Sequence, residues 1–301
     1  KHLLVKDINL FAEKGTIVAD SVLAKVNHLS AKERSGFELV KLTTQAQVTT
    51  KDITLEKLNL KTPDSEIKDY LSFRFNAYHD FKDFINAMRI KANLTDSRLI
   101  LKDLNYFVRK LDKVAHNKFT INGQIDGRVN NLKGRGIEIR TGSNTMFKGD
   151  FYTRGLPDIY ETALNLRVNR LSTTYADLKR FYPELKLPAN INTLGLIHYS
   201  GSLDGFVTDF VSNGKLNTSI GSATTDVNFK YDKQRNKAAY KGNLALNNFD
   251  LGKYFNDEVN LGKVSLQGKI DGAGLTLESL KAELEGPISS ITLKGYEYKY
   301  L

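Results

Sequence analysis

From residue 119 to residue 129 apolar and polar side chains alternate. Phe119, Ile121, Ile125 and Val129 share one parity, and Thr120, Asn122, Gln124, Asp126 and Arg128 share the other. Leu164, Leu166 and Val168 alternate in the same way with Asn165, Arg167 and Asn169, and Val264, Leu266 and Ile270 with Lys263, Ser265, Gln267 and Lys269. Met88, Ile90, Ala92 and Leu94 alternate with Arg89, Lys91 and Asn93, and the runs Phe73-Phe75-Ala77, Val227-Phe229-Tyr231 and Leu244-Leu246 behave alike. Successive side chains of a strand point to opposite faces, so each run predicts a strand with one apolar and one polar face. Parallel strands buried between helices would read as unbroken Val/Ile/Leu runs, and these do not occur. The expected fold class is therefore all-β, a long repeat-built sheet with one continuous apolar face and a few short helices.

Two short motifs recur within this alternation. The first is Asp, an apolar residue, two mostly polar residues and an aromatic: Asp80 to Phe84, Asp103 to Phe107, Asp177 to Phe181 and Asp250 to Tyr254. An aspartate at the N-cap accepts from the free N–H groups of a first helical turn, and the apolar and aromatic residues then share a helix face. Each copy predicts a helix of one or two turns that presses an aromatic against the sheet. The second motif is Gly-x-(Ile/Leu)-Asp-Gly, at 123–127, 201–205 and 268–272. Asp-Gly predicts a tight turn, and the glycine four positions earlier a bulge or a close backbone approach. The chain thus reads as repeating units of several strands and one short helix. No Pro/Gly/Ser linker cuts it, so residues 1–301 are expected to form one continuous segment. The alternation still runs at Glu297-Tyr298-Lys299-Tyr300, which suggests a piece of a longer chain.

Composition narrows the chemistry. With 41 % hydrophobic and 26 % charged residues the 301-residue chain is of an ordered kind. Its net charge of +10 is spread out, without a block of like charges, and favours anionic partners in general. The absence of cysteine excludes disulfides, thiolate metal sites and cysteine nucleophiles. No apolar run approaches the ~20 residues needed to span a bilayer as a helix. His2, His28, His79, His116 and His198 show no zinc-type spacing. Neither a nucleophile elbow nor a P-loop occurs, and Gly134-Arg135-Gly136 lacks the third glycine of a dinucleotide fingerprint. Asp126, Asp204 and Asp271 lack calcium-loop spacing and fit turn chemistry better. The 14 Tyr and 16 Phe fall mostly on the apolar parity, which favours packing over base stacking. The expectation is a non-enzyme with no cofactor, no metal and no nucleic-acid partner. An apolar sheet face must pair with a second sheet, close on itself, stack, or bind something greasy, and periodicity alone does not choose.

The order of several segments resembles the TamB branch of AsmA-like envelope proteins. These are Ser35-Gly36-Phe37-Glu38-Leu39 running through Ile53 to Leu60 and Thr62-Pro63-Asp64-Ser65, then Asp96-Ser97, Asp103 to Phe107, Arg154-Gly155-Leu156-Pro157, Leu194-Gly195, Gly201 to Phe206, Asn217 to Gly221, Tyr240 to Leu244, Phe249 to Gly252 and Gly268 to Leu275. The resemblance implies a sheet curled into a half-pipe with a hydrophobic groove. It also implies an inner-membrane anchor outside this chain and a location in the periplasm, reaching the outer membrane. The implied function is a bridge that moves phospholipids, with their acyl chains as partners and a TamA-like barrel protein as a further one. The residues expected to line the groove are Ile121, Ile125, Leu164, Leu166, Val168, Leu266 and Ile270. The alternatives are a scaffold for outer-membrane protein assembly, and a surface β-solenoid or sandwich adhesin with a dry core.

Overall fold

The computed structural model of the chain describes residues 4–34, 36–104, 106, 115–181, 187–232, 234–235 and 237–301. The alternating runs form strands, except that the run Phe73-Phe75-Ala77 leaves its strand after Arg74 and ends at the N-cap of a 3-10 turn. The strands are β1 (Val5–Val18), β2 (Ser21–Glu33), β3 (Glu38–Val48), β4 (Asp52–Lys61), β5 (Glu66–Arg74), β6 (Arg89–Ile100), β7 (Lys118–Arg128), β8 (Asn131–Thr141), β9 (Thr145–Arg154), β10 (Ala163–Thr173), β11 (Ile197–Phe206), β12 (Asp209–Thr218), β13 (Gly221–Asp232), β14 (Lys237–Asp250), β15 (Leu261–Ala273), β16 (Lys281–Glu285), β17 (Ile288–Leu293) and β18 (Tyr296–Lys299). They make a single open antiparallel sheet of 18 strands. The helices are short: α1 (Phe84–Ala87), α2 (Leu101–Leu104), α3 (Tyr175–Phe181) and α4 (Leu251–Phe255), with 3-10 turns at Tyr78–Asp83 and Ala189–Leu194.

The chain falls into two compact units, one of residues 1–142 and 150–162, the other of residues 143–149 and 163–301. In the first, β1 to β8 pair in chain order as a meander. In the second, β10 to β15 do the same. There β15 then pairs with both β16 and β17, and β17 with β18. Directly opposed residues of an antiparallel pair share a face, so this register extends the two-sidedness of each strand across its neighbours.

The glycine motif and the last three copies of the helix motif count strands in fours, while the first helix copy, at Asp80 to Phe84, follows β5 and stands outside the count. The glycine motif lies on β7, β11 and β15, and the helices α2, α3 and α4 follow β6, β10 and β14. Four antiparallel strands restore the direction of the chain, so each helix leaves at the end of an equivalently directed strand.

The motifs differ from their predicted local roles. The Asp-Gly pairs lie within strands, not in turns, and the hairpin turns come after them, at 129–130 and 207–208 for the first two copies. The reading of the leading glycine is upheld: a methyl group at Gly123, Gly201 or Gly268 would run into the carbonyl oxygen of Gly136, Asn213 or Glu285 on the next strand. Among the four aspartates only Asp250 is an N-cap, accepting from the Lys253 N–H at 3.0 Å. The other three are buried inside or beside their turns and reach backwards along the chain. Asp103 accepts from the hydroxyls of Thr62 (2.6 Å) and Ser65 (2.5 Å) in the β4–β5 hairpin. Asp177 accepts from the Asn144 N–H (3.0 Å) and the Thr145 hydroxyl (2.9 Å) in the β8–β9 hairpin. Asp80 accepts from the Asn76 N–H at 2.8 Å. The predicted aromatic plugs hold at Phe84, edge-on to Phe73 at 5.8 Å, and at Tyr254, 5.9 Å from Phe249. Phe107 lies outside the described residues.

Left-handed residues are inserted as bulges into several strands, and an extra residue increases the local twist. Three of them have their N–H taken by a side chain of the neighbouring strand. Asp96 (φ 43) donates to Asn122 Oδ1 at 2.8 Å, Gly136 (φ 56) to Asp150 Oδ1 at 2.7 Å, and Asn248 (φ 48) to Ser265 Oγ at 3.0 Å. The N–H that a bulge removes from the ladder is thus satisfied across the same strand pair at Asp96 and Asn248, and from the strand on the other side, β9, at Gly136.

Candidate functional site

The apolar face is the chemical feature that spans each unit. In the second unit one continuous cross-strand row runs Leu166, Leu203, Ser212, Val227, Gly242, Ile270, Leu284 through β10 to β16. A parallel row runs Tyr199, Leu216, Ala223, Leu246, Leu266, Ile288. The opposite face over the same strands carries Arg167, Ser202, Asn213, Asp226, Asn243 and Lys269, each in register with the next. In the first unit Phe73, Ile90 and Gly127 are opposed in one row and Leu71, Ala92, Ile125 and Gly134 in the next.

All seven residues singled out from the sequence lie on this face. Ile121 is opposite Ser97 and Ile139, and Ile125 opposite Ala92 and Gly134. Leu164, Leu166 and Val168 are opposite Gly205, Leu203 and Gly201. The register brings Leu166 and Ile270 into one row, and sets Leu266 between Leu246 and Ile288. Val168 is covered by protein at 4 % exposure, while the other six are half-buried. Ile121 and Ile125 belong to the first unit and the other five to the second.

Sequence parity missed a polar seam on the greasy side. The Tyr199 hydroxyl donates to the Ser202 carbonyl at 2.7 Å and lies 3.1 Å from Ser212 Oγ, which is 2.9 Å from Thr225 Oγ1. The Tyr199 ring covers Gly214, where a side chain would collide with it. Tyr240 covers Gly272 likewise and donates to the Gly274 carbonyl at 3.2 Å. Burial pushes the Tyr199 and Tyr240 phenols up, and burial, with Tyr240 nearby, pushes Tyr254 up to about 12. These rings therefore stay neutral in the physiological range and act as apolar bodies with their hydroxyls satisfied. Glycines facing tyrosines were visible in the sequence, but their pairing depends on register.

The polar face is tied by cross-strand ion pairs. Arg89 holds Asp126 with two bonds of 2.9 Å, Lys241 holds Asp271 at 2.6 Å, and Lys230 holds Asp209 at 2.9 Å. Asp204 accepts from the Asn165 amide. The motif aspartates are thus partners of neighbouring strands. Among the described residues no three His, Asp or Glu side chains converge as a metal site, and no helix is long and apolar enough to cross a membrane.

The molecule is an all-β protein with one open, two-faced sheet. No family model, curated protein or solved structure matches the chain.

Proposed function

We propose that this chain is a segment of a TamB-like bridge in the cell envelope, carrying phospholipids with their acyl chains against the apolar sheet face. The observation that carries this reading is the unbroken row from Leu166 to Leu284 across β10 to β16, half-buried at every position but Val227. The chain exposes 18036 Å². A compact monomer of its 33.9 kDa would expose about 12,800 Å², and two separate globules of half that mass about 15,400 Å². The surplus fits an open sheet, and part of it lies on the edge strand β1, exposed along its whole length. A groove formed by curling of the sheet would shelter the chains, with head groups toward water. Each methylene withdrawn from water contributes about 0.8 kcal/mol, and a lining of small, similar side chains offers no single deep well, which suits sliding. Membrane anchoring outside this chain and a barrel partner in the outer membrane belong to the same proposal.

The test is organic extraction of the purified protein followed by mass spectrometry, with photo-crosslinking of an acyl probe. Bound phospholipid, lost when Leu166 is replaced by Asp, is the expected result. A lipid-free extract from folded protein would sink the reading.

A second reading rests on the sheet edge. Every residue of β1 is exposed and, among the described residues, it pairs with β2 alone, while Leu10, Phe11 and Ile17 stand 59 %, 57 % and 78 % exposed. Such an edge would accept a strand of a client protein, as an assembly scaffold requires. Capture of a barrel precursor by the wild type, abolished by prolines in β1, would favour it.

A further inference from the structure

The polar face of the first unit carries charge that its own fold leaves unused. Arg74, Arg89 and Arg128 stand directly opposite one another on β5, β6 and β7. Like charges in opposed positions destabilise a sheet. Where like charges oppose elsewhere, as at Lys6 and Lys32 or Lys41 and Lys61, the next strand supplies an ion pair, Lys32 to Glu38 and Lys61 to Glu66, each at 3.1 Å, whereas Arg74 makes none with the Asp52 opposite it. In the next row Lys91, Asp126 and Lys133 are opposed, and one row further Arg135 faces Gln124. A cleft of about 540 Å³ opens over these positions, lined by five cations (Arg89, Lys91, Arg128, Lys133 and Arg135) against one carboxylate, Asp126.

That carboxylate does not satisfy the cluster. Both Asp126 oxygens accept from Arg89, whose hydrogen bonds hold the carboxyl below its usual range. Arg74, Arg128 and Arg135 make no ion pair among the described residues, and all three side chains are exposed. The Lys133 Nζ lies 5.3 Å from the Tyr152 ring centroid and makes no ion pair among the described residues. Opposed arginines with a shared deficit of negative charge make a preformed anion site.

The choice of anion follows from the donors. They stand on three adjacent strands, β6, β7 and β8, and offer several cations over one cleft, whereas a carboxylate offers one charge in one plane. A phosphate ester offers up to two charges and three acceptor oxygens. Gln124 and Asn131 lie in the same cleft and supply amide groups for hydroxyls. The volume falls in the range of small-ligand sites, about 300–1,000 Å³. We infer that this cleft binds a phosphate ester, its phosphate held by Arg128, Lys91, Lys133 and Arg135 and its alcohol part by Gln124 and Asn131. The site lies on the face opposite the one proposed to carry acyl chains, so either assignment can fail without the other.

The source of the phosphate, a soluble ester or a phospholipid head group, is distinguished by two probes. Glycerol 3-phosphate is titrated into the ¹⁵N-labelled protein while the arginine Nε–H resonances are followed, with acetate at equal ionic strength as reference. Saturable shifts of Arg128 and Arg135 are expected. The dissociation constant should rise at least tenfold in R128A/R135A and stay unchanged in the charge-matched R167A/K215A on the second unit. Vesicles with and without an anionic phospholipid form the second arm. Flotation with anionic vesicles that glycerol 3-phosphate reverses assigns the site to head groups, and binding of the ester without flotation assigns it to soluble esters. Non-saturating shifts, equal shifts with acetate, an unaltered R128A/R135A, or flotation that the ester fails to compete would each overturn the inference.

Discussion

Glu66 shows how single residues hold the polar face. It stands opposite Lys61 and Arg98, with Lys68 also in reach, at 3.1, 2.8 and 3.4 Å. The Arg98 hydrogen bond, with the two lysines, lowers its carboxyl to about 2. Its folded value lies below its unfolded one, so the stabilisation is complete above about pH 4.5 and is lost as pH falls toward 2. Glu66 is 6 % exposed, but the side chains of its partners Lys61, Lys68 and Arg98 are 44 %, 37 % and 68 % exposed, so solvent screens the pairs and the contribution is about 1 kcal/mol. Urea unfolding between pH 4.5 and 2 should show the wild type losing that much more than Glu66→Gln, and superimposable profiles would refute the assignment. Gly201 acts by having no side chain. A methyl there meets the backbone of Asn213 and Gly214, which yields only if β11 and β12 part. Gly201→Ala should cost about 2 kcal/mol or more, and Ser202→Ala next to it under about 0.5, measured by thermal unfolding.

At the scale of elements, α2 and α3 are fastened to hairpins earlier in the chain. Asp103→Ala leaves the Thr62 and Ser65 hydroxyls without their acceptor in a buried spot, at a cost of about 2–3 kcal/mol. Hydrogen exchange should accelerate at the Ser65 and Ile100 amides, which bond to those same hydroxyls. Unchanged protection there would show that the helix is held by other contacts. This clamp also marks the limit of what was legible in the sequence. The period-two parity of Phe119, Leu166 and Val264 placed their strands and faces correctly, because alternation is local. The Asp-x-x-x-aromatic spacing located the helices, yet a local rule assigned the aspartates to N-caps. The partners of Asp103 and Asp177 lie 41 and 33 residues away in sequence, where spacing carries no signal. Asp-Gly misled for the same reason: it resembles a turn, and only the neighbouring strand shows that Gly205 needs extended backbone in close contact with Asp209.

For the whole molecule the decisive quantity is apolar surface left open to water. A folded protein that keeps half-buried Leu, Ile and Phe along both units should bind a hydrophobic dye such as ANS in its native state, with its tertiary circular dichroism intact. Dye binding that appears only on partial unfolding would mean the face is covered. The face of the seven candidate side chains was legible residue by residue, since strand parity alone places each on the apolar side of its strand. Their neighbours were not. Tyr199, Ser212 and Thr225 join that side only through the register of β11, β12 and β13.

The four-strand rhythm of helices and glycines sets a unit of length. Leu101, Tyr175 and Leu251 open successive helices 74 and 76 residues apart by subtraction. Neighbouring strands lie about 4.8 Å apart, so each duplication of such a block widens the sheet by roughly 19 Å. Because four is even, an inserted block keeps chain direction, face and helix side in phase with the strands on either side of it. A protein with this grammar can be fitted to a gap of given width by counting blocks, as a ladder is fitted to a wall by counting rungs, without any strand having to be redesigned.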